Sequence, residues 1–316
     1  MDPRQKVRAH PRSRRGRATI SLKLQKDSVN FQLDQPVLAE LGAIVAADLS
    51  RPLLKLLVAT LALAAIAAPE AAAKAPGPIA GKGYHLAFHD DFSYFRKHVW
   101  TRGIWYDDPP PRHSIHTKSG VLHLVSRRNQ GYPDITVTTL KSRSFRHGYF
   151  EARMRWTKGL GAWPAFWLVS TRHAKNPAFP SLNPYCANHG LLEVRCWNSE
   201  LDVFEGQGAE PHTFYGTLHR NTNDYYGASD STNYPAWKSV GADMTKGFHR
   251  YAVLWTASEV RWYFDGHQVL RAPTFASTDQ PMFLLFDMWI GWADTPDAST
   301  PDSLRTKVDW VRVWRR

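Results

Sequence analysis

Alternation of apolar and polar residues recurs through the last three quarters of the chain. Residues 148–156 (GYFEARMRW) place apolar side chains at every second position, with polar ones between several of them. This is the period of a half-buried β-strand. Similar runs occupy residues 249–255, 260–264, 268–271 and 307–314. Asp265-Gly266 separates two of these runs, and this dipeptide predicts a hairpin turn.

One longer run, residues 281–290, is apolar almost throughout, as expected of a strand covered on both faces. No stripe with helical spacing follows residue 75, and the sequence has no internal repeat. Strands without helices between them predict an all-β sandwich or barrel, and ~240 residues is an ordinary size for one such domain. We therefore expect a single β domain over residues 84–316.

A different pattern precedes this domain. Residues 56–68 form an uncharged, mostly apolar stretch of 13 residues behind Arg51 and Lys55, and the alanines at 71–73 offer a cleavage site. This arrangement is typical of a secretory signal peptide, and the stretch is too short to span a bilayer. We expect a signal peptide over residues 51–73, with a short buried helix or a membrane anchor as the alternatives.

The other N-terminal segments are not expected to fold. Fifty residues ahead of a signal peptide are more than a normal basic leader contains. Residues 1–50 are therefore expected to be disordered or to reflect an overlong gene model, with the true start near Val45. Residues 74–83 are expected to be a short linker. Export predicts a secreted or periplasmic protein without a stable membrane anchor, and we expect a monomer.

The net charge of +12 is unevenly distributed along the chain. Residues 1–74 carry a net +6 from 12 basic and 6 acidic residues, whereas the much longer remainder carries the other +6. A nucleic-acid-binding domain needs a basic cluster on its own folded surface. The densest basic run, residues 12–17, lies outside the predicted domain. We therefore expect no nucleic-acid partner.

The two cysteines, Cys186 and Cys196, are ten positions apart. In an exported chain such a pair predicts a disulfide, with two free buried thiols as the alternative. Two cysteines without suitably spaced histidines do not make a zinc site.

The candidate chemistry lies at residues 200–205, which read E-L-D-V-F-E. On a strand, Glu200 and Asp202 share a face, whereas Glu205 would point to the other side. One extra residue at Val203-Phe204, a β-bulge, would return Glu205 to the shared face. Carboxylates on one face repel each other, but a retaining glycosidase needs a nucleophile and an acid/base placed in this way. The alternative is an exposed polar strand face.

Four flanking motifs favour the glycosidase interpretation over an exposed polar strand face. They are F-R-H-G-Y-F-E-A-R-M-R at 145–155, G-A-W-P-A-F-W-L at 161–168, G-T-L-H at 216–219 and V-D-W-V-R-V-W at 308–314. Together with the carboxylate string they resemble glycoside hydrolase family 16, in its laminarinase-like branch, over residues 84–316. The resemblance implies a β-jelly-roll of two curved antiparallel sheets with a concave substrate cleft.

The same resemblance implies roles for individual residues. Glu200 would be the nucleophile, Asp202 its assistant and Glu205 the acid/base. His219 would lie near these carboxylates, and Trp163 and Trp167 would line the cleft.

Three further tryptophans and one aspartate complete the set of candidates. Sugar rings stack on planar apolar surfaces, so Trp105, Trp289 and Trp292 are additional substrate-binding candidates, although a tryptophan in a β protein is more often part of the core. Asp309 is a candidate ligand of a structural Ca²⁺, as in many relatives, or simply a solvated aspartate. The chemistry itself requires no cofactor.

The expected function is that of an exported, endo-acting, retaining hydrolase of β-linked polysaccharide, with β-1,3-glucan or mixed β-1,3/1,4-glucan as the substrate. A transglycosylase and a galactan hydrolase on the same scaffold are the alternatives. A noncatalytic glucan-binding protein is less favoured, because it would have no reason to keep both Glu200 and Glu205.

Overall fold

The computed structural model describes residues 74–104, 107–171, 198–221, 232–275 and 278–316, together with two N-terminal strands. The strands are β1 (Arg17–Lys23), β2 (Ser28–Asp34), β3 (His85–Asp90), β4 (Thr101–Arg102), β5 (Ile115–Thr117), β6 (Leu122–Arg127), β7 (Ile135–Thr138), β8 (Gly148–Trp156), β9 (Ala162–Ser170), β10 (Asn198–Glu205), β11 (Thr213–Asn221), β12 (Thr232–Ser239), β13 (His249–Trp255), β14 (Glu259–Phe264), β15 (His267–Pro273), β16 (Met282–Ile290) and β17 (Ser303–Arg315). Short 3-10 turns occupy Gly77–Ile79 and Arg128–Gln130.

Two antiparallel sheets form the main unit, which begins at Ala73. Within the described residues, the seven-stranded sheet has the order β12-β11-β10-β9-β16-β7-β4. The eight-stranded sheet has the order β15-β14-β13-β8-β17-β6-β5, with β3 paired to β17. The all-β jelly-roll sandwich expected from the sequence is therefore confirmed.

The near-continuous apolar run of β16 is explained by its two different faces. Leu284 and Phe286 point into the core between the sheets. Phe283 and Leu285 belong to a second cluster, which lies on the other face of the strand beside Trp167. Because both faces are covered by apolar side chains, β16 shows no alternation in sequence.

The eight-stranded sheet shows the expected alternation in part. On β8, Phe150, Ala152 and Met154 are buried in the core, whereas on the outer face Arg155 is exposed but Tyr149 and Glu151 are buried. The pairing of β14 with β15 brings Phe264 opposite His267, so the hairpin turn at Asp265-Gly266 is confirmed.

The segment 74–83 differs from the linker expected there. Ile79 is fully buried and packs in a cluster with Tyr149 and Trp314, which lie on the opposite side of the eight-stranded sheet from the main core. The segment therefore packs on the domain through an apolar side chain that periodicity could not reveal, because a 3-10 turn is too short to show a repeat.

An antiparallel hairpin of β1 and β2 occupies part of residues 1–50, where the sequence analysis expected no folded structure. Its register places Ile20 opposite Phe31 and Leu22 opposite Val29. The apolar residues of the two strands thus alternate in phase, which is a strand signal. The predicted signal peptide at 51–73 lies outside the described residues. Among those described, no helix is long and apolar enough to cross a membrane.

Candidate active site

The bulge expected in β10 is present at Val203-Phe204. Asp202 lies opposite Thr217 of β11 and Glu205 opposite Tyr215, so three steps on β10 face two on β11. The pairing with β9 shifts between Asp202 and Phe204 in the same way. Val203 and Phe204 are both buried in the core, and Glu205 returns to the side of Glu200 and Asp202.

Trp262 of the eight-stranded sheet and Gly216 of the neighbouring strand β11 support the bulge. The indole Nε1 of Trp262, on β14, donates a hydrogen bond to the backbone oxygen of Asp202 at 2.7 Å. Trp262 can come this close because residue 216 is glycine: a Cβ there would lie 2.6 Å from the indole ring. The glycine of the G-T-L-H motif therefore leaves room for the side chain that binds the bulged strand.

The three carboxylates share the outer face of the seven-stranded sheet, which we call the site face. Glu200 is paired with Val169 of β9 and Glu205 with Ala165, two residues that also belong to the apolar cluster on this face. Asp202 is paired with Trp167, a third member of the cluster. Apolar side chains of β9 thus lie beside the three carboxylates on the site face.

A histidine and a tryptophan contact the carboxylates directly. His219 Nε2 lies 2.9 Å from Asp202 Oδ2 and 3.8 Å from Glu200 Oε1. Trp163 Nε1 donates a hydrogen bond to Glu205 Oε1 at 2.8 Å. His219 therefore connects two of the carboxylates, while the indole of Trp163 orients the third.

Burial raises the pKa of two of the acids. The pKa of Glu200 rises to about 8, because burial and then the charge of Asp202 disfavour its ionised form, whereas His219 opposes the rise. Burial and then Asp202 raise the pKa of Glu205 well above its usual value, against the hydrogen bond from Trp163. Burial and the charge of Asp202 thus favour the protonated forms of both glutamates.

Asp287 is a buried site residue that the sequence analysis missed. Its Oδ2 accepts a hydrogen bond from Trp167 Nε1 at 2.5 Å. Burial raises its pKa well above the usual value, and the charges of Asp134 and Glu200 add to this rise. The signal was present in the sequence, because Asp287 is the one acidic residue in the apolar run 281–290.

The predicted tryptophans differ in what they expose. Trp167 is only 3% exposed, so it packs within the apolar cluster of the site face and offers no ring face to a sugar. This differs from its expected role in lining the cleft. Trp163 and Trp289 are half-buried, and Trp292 is 64% exposed. Trp105 lies outside the described residues.

Two further aromatic residues extend the site face. Tyr215 stacks on Trp163 with ring centroids 6.2 Å apart, and it is paired with Trp237 of β12. Trp237 is 68% exposed. Neither residue stands in a motif, and only the strand register shows that they share a face with Glu205.

The structure gives Asp309 a protein partner. Its Oδ2 accepts a hydrogen bond from Arg153 Nη1 at 2.5 Å. Calcium binding at Asp309 stays a prediction. Ligand atoms of Glu200, Asp202 and His219 lie within 4.8 Å of one another, a spacing that could hold a metal ion. Cys186 and Cys196, the predicted disulfide, lie outside the described residues.

Comparison with known proteins identifies the family. A model of the glycosyl hydrolases family 16 matches residues 190–312. The beta-glucanase of Paenibacillus macerans is 32% identical over 232 residues, which cover 71% of this chain and 86% of that protein. The chain belongs to glycosyl hydrolases family 16.

Two further relatives are longer than this chain. The endo-1,3-1,4-beta-glycanase ExsH of Rhizobium meliloti is 33% identical over 226 residues, which are 66% of this chain and 42% of that protein. The corresponding share of its EglC protein is 37%. The chain thus spans about two fifths of these two relatives.

Solved structures agree on the fold. The laminarinase of Rhodothermus marinus aligns with a TM-score of 0.58 at 23% identity, over 73% of this chain and 97% of that structure. The endo-beta-1,3-glucanase of Pyrococcus furiosus aligns with a TM-score of 0.57 at 24% identity, over 73% and 94%. These alignments support the jelly-roll fold, and the family resemblance noted in the sequence is confirmed by the beta-glucanase of Paenibacillus macerans.

Proposed function

We propose that this family 16 chain is an endo-acting, retaining hydrolase of β-linked glucan, with β-1,3-glucan or mixed β-1,3/1,4-glucan as its substrate. The observation that carries the proposal is the bulge of β10, which brings Glu205 to the face that already bears Glu200 and Asp202. The names of the relatives, a beta-glucanase and two endo-1,3-1,4-beta-glycanases, favour a glucan over other polysaccharides.

Glu205 is suited to be the acid/base. A general acid must hold its proton until the leaving oxygen needs it, and burial raises the pKa of Glu205 in the required direction. The hydrogen bond from Trp163 at 2.8 Å fixes the orientation of the carboxyl group. The same bond stabilises the carboxylate that remains after the proton has left.

Glu200 is suited to be the nucleophile. Its Oε2 is buried and has no hydrogen-bond partner among the described residues, so its lone pairs are available to attack carbon. His219, at 3.8 Å from Oε1, favours the ionised form that attacks. Asp202 holds this histidine at 2.9 Å and acts as a positioning residue.

The two glutamates would work in sequence. A Glu200 oxygen attacks the anomeric carbon as the glycosidic C–O bond breaks, and the departing oxygen takes the proton of Glu205. Glu205, now ionised, takes a proton from water while the water oxygen attacks the same carbon and releases Glu200. Two inversions leave the anomeric configuration unchanged.

The aromatic side chains favour binding along a chain over binding at its end. Trp289 lies on β16 and Trp237 on β12, on either side of the carboxylate strand. Four strand spacings separate β16 from β12, a width of about 19 Å at ~4.8 Å for each spacing. Rings on both sides of the reacting carboxylates suit a glucan that extends past them in both directions, as endo cleavage requires.

The test is a substrate panel that compares three variants with the unmodified chain. Laminarin, mixed-linkage glucan, agarose, carrageenan and xyloglucan are incubated with the protein, and new reducing ends are measured. We expect activity on the first two, with a loss of at least about 10³-fold in Glu200→Gln and Glu205→Gln. Glu259→Gln, which removes a carboxylate outside the site face, keeps full activity. Activity that survives in either site variant would exclude these roles.

Export is a separate proposal, based on the predicted signal peptide at 51–73. We propose that the mature protein begins near Lys74, is secreted or periplasmic, and carries a Cys186–Cys196 disulfide. N-terminal sequencing of the mature protein and an intact mass without reductant test both points. A mature chain that starts at Met1, or two free thiols, would contradict them.

A further inference from the structure

A row of basic side chains crosses the outer face of the eight-stranded sheet. Arg155 of β8 is paired with Lys307 of β17, and Lys307 is paired in turn with His123 of β6. His116 of β5 continues the row, with its ring stacked on that of His123 at 5.0 Å. Like charges directly opposite on neighbouring strands destabilise a sheet, so stability does not explain Arg155 beside Lys307.

The row opens into a cavity of about 270 Å³, which we call the cationic pocket. The cations that line it are Arg155, Lys158, Lys246, Arg305 and Lys307. Thr157 and Thr245, which bear hydroxyl groups, and Trp156 complete its wall. Five cationic side chains around one cavity make a site for a group that carries several negative charges.

The pocket lacks the acidic partners that other cations of this domain have. Arg96 is bonded to Asp90, Arg153 to Asp309 and Arg271 to Glu259. Within the part of the chain that the structure describes, no carboxylate lies within 4.0 Å of the charged nitrogens of the five pocket cations. Asp243 lies near Lys246 and bonds to Thr245.

The neighbouring charges that lower the pKa of Lys307 and of His123 are all positive. Burial, followed by the charges of Arg155 and Arg305, lowers the pKa of Lys307. Burial, followed by His116 and Lys307, lowers the pKa of His123 to about 4. His123 is therefore neutral at pH 7 and can donate or accept a hydrogen bond, whereas the lysines and arginines supply the charge.

We propose that the cationic pocket binds an oxyanion: a phosphate, sulfate or carboxylate group, either as a free ion or as a substituent of an acidic glycan. An anion there would neutralise Arg155 and Lys307 together and relieve their repulsion. The pocket lies on the outer face of one sheet and the catalytic carboxylates on the outer face of the other. It would therefore hold its ligand away from the cleavage site, and the proposal does not depend on the hydrolytic function.

The test is isothermal titration calorimetry with inorganic phosphate, inorganic sulfate, oligogalacturonate and a neutral laminari-oligosaccharide, at a constant ionic strength of about 50 mM to limit screening. The variant is Lys158→Gln/Lys307→Gln, which removes two charges and leaves a shorter, polar and uncharged side chain at each position. The matched control is Lys82→Gln/Lys97→Gln, which removes two charges from exposed lysines outside the pocket.

We expect saturable binding of at least one anionic probe, weakened about tenfold or more in the pocket variant, as the loss of one charge-assisted contact would give. The control variant should bind like the unmodified chain. Tighter binding of oligogalacturonate than of either inorganic ion identifies a glycan substituent as the ligand, and the reverse order identifies a free ion. The melting temperature of the pocket variant without ligand should be unchanged or higher, because a repulsion has been removed.

Two results would overturn the proposal. One is the absence of saturable binding for every anionic probe, and the other is equal weakening in both double variants, which would show a response to net charge alone. Laminarin hydrolysis, measured in parallel, should be the same in both variants. A failure of hydrolysis in the unmodified chain would count against the glucanase proposal and leave the anion measurement intact.

Discussion

Replacing Asp202 by asparagine should shift the pH dependence of the enzyme toward acid. Asp202 and Glu200 have carboxylate oxygens within 4.8 Å of each other, and the charge of Asp202 contributes to the high pKa of Glu200. At an effective dielectric constant of about 20, two charges at that distance repel by about 3.5 kcal/mol, or roughly 2.5 pKa units. His219, 2.9 Å from Asp202, offsets part of this charge, so a fall of one to two units is expected (about half the bare Coulomb value).

The assay is kcat/KM on laminarin as a function of pH. Glu200 must be ionised to attack, so activity is lost on the acid side as Glu200 takes up a proton. Its pKa is about 8 in the unmodified chain. Asp202→Asn should therefore move the acid limb down by one to two pH units, although the limb belongs to the coupled group of acids. His219→Gln should move it up, because His219 lowers the pKa of Glu200.

The acid limb is expected to move in opposite directions in Asp202→Asn and His219→Gln, so the two variants together test the account strictly. Asparagine keeps the shape of Asp202 and cannot ionise, so a shift reports charge more than packing. An acid limb that stays in place in Asp202→Asn, or that moves upward, would refute the electrostatic account of the site. Equal shifts in the same direction for both variants would show that the limb reports a different group.

Three more variants test other contacts of the site face. Trp163→Phe removes the hydrogen bond to Glu205 and should lower kcat about tenfold, as the loss of ~1.5 kcal/mol predicts, while the alkaline limb moves up because that bond lowers the pKa of Glu205. Trp237→Ala removes an exposed ring and should raise KM for long glucans about three- to tenfold, with the melting temperature unchanged and short substrates unaffected. Asp287→Asn should make the melting temperature fall less steeply with rising pH. Burial raises the pKa of Asp287 well above 3.8, so this carboxyl favours folding below pH 3.8. Its contribution to stability is lost as the pH rises through the folded-state pKa. An unchanged slope in Asp287→Asn would show that the carboxyl is not protonated in the fold.

The bulge in β10 could be predicted because it follows from the spacing of three carboxylates within one short segment of sequence. Glu205 is three positions after Asp202, so it can share the face of Glu200 and Asp202 only if one extra residue lies between them. The string E-L-D-V-F-E shows where that residue must be. The side chains that hold the strand in place could not be predicted in the same way. Trp262 lies 60 positions from Asp202, and nothing in the spacing of either residue connects them.

Burial by the partner sheet or by neighbouring strands decided the other differences. Trp163 and Trp167 stand in one motif four positions apart, yet one contacts Glu205 and the other is buried against Asp287. Alternation places both on the same face, and only the pairing with β16 shows that Trp167 is covered. Similarly, Arg155 and Lys307 are 152 positions apart in sequence, and their pairing required the register of β8 and β17.

The central claim, that Glu200 attacks carbon and Glu205 transfers the proton, is tested most directly by azide rescue. Glu200→Gly and Glu205→Ala are each incubated with azide and an activated β-glucoside oligomer, and the anomeric signals of the products are read by proton NMR. Without the nucleophile, azide attacks carbon directly, so Glu200→Gly should give an α-glycosyl azide. Without the acid/base, azide attacks the covalent intermediate, so Glu205→Ala should give a β-glycosyl azide. Products exchanged between the two variants would reverse the roles, and two variants with undiminished hydrolysis would show that the reaction takes place elsewhere.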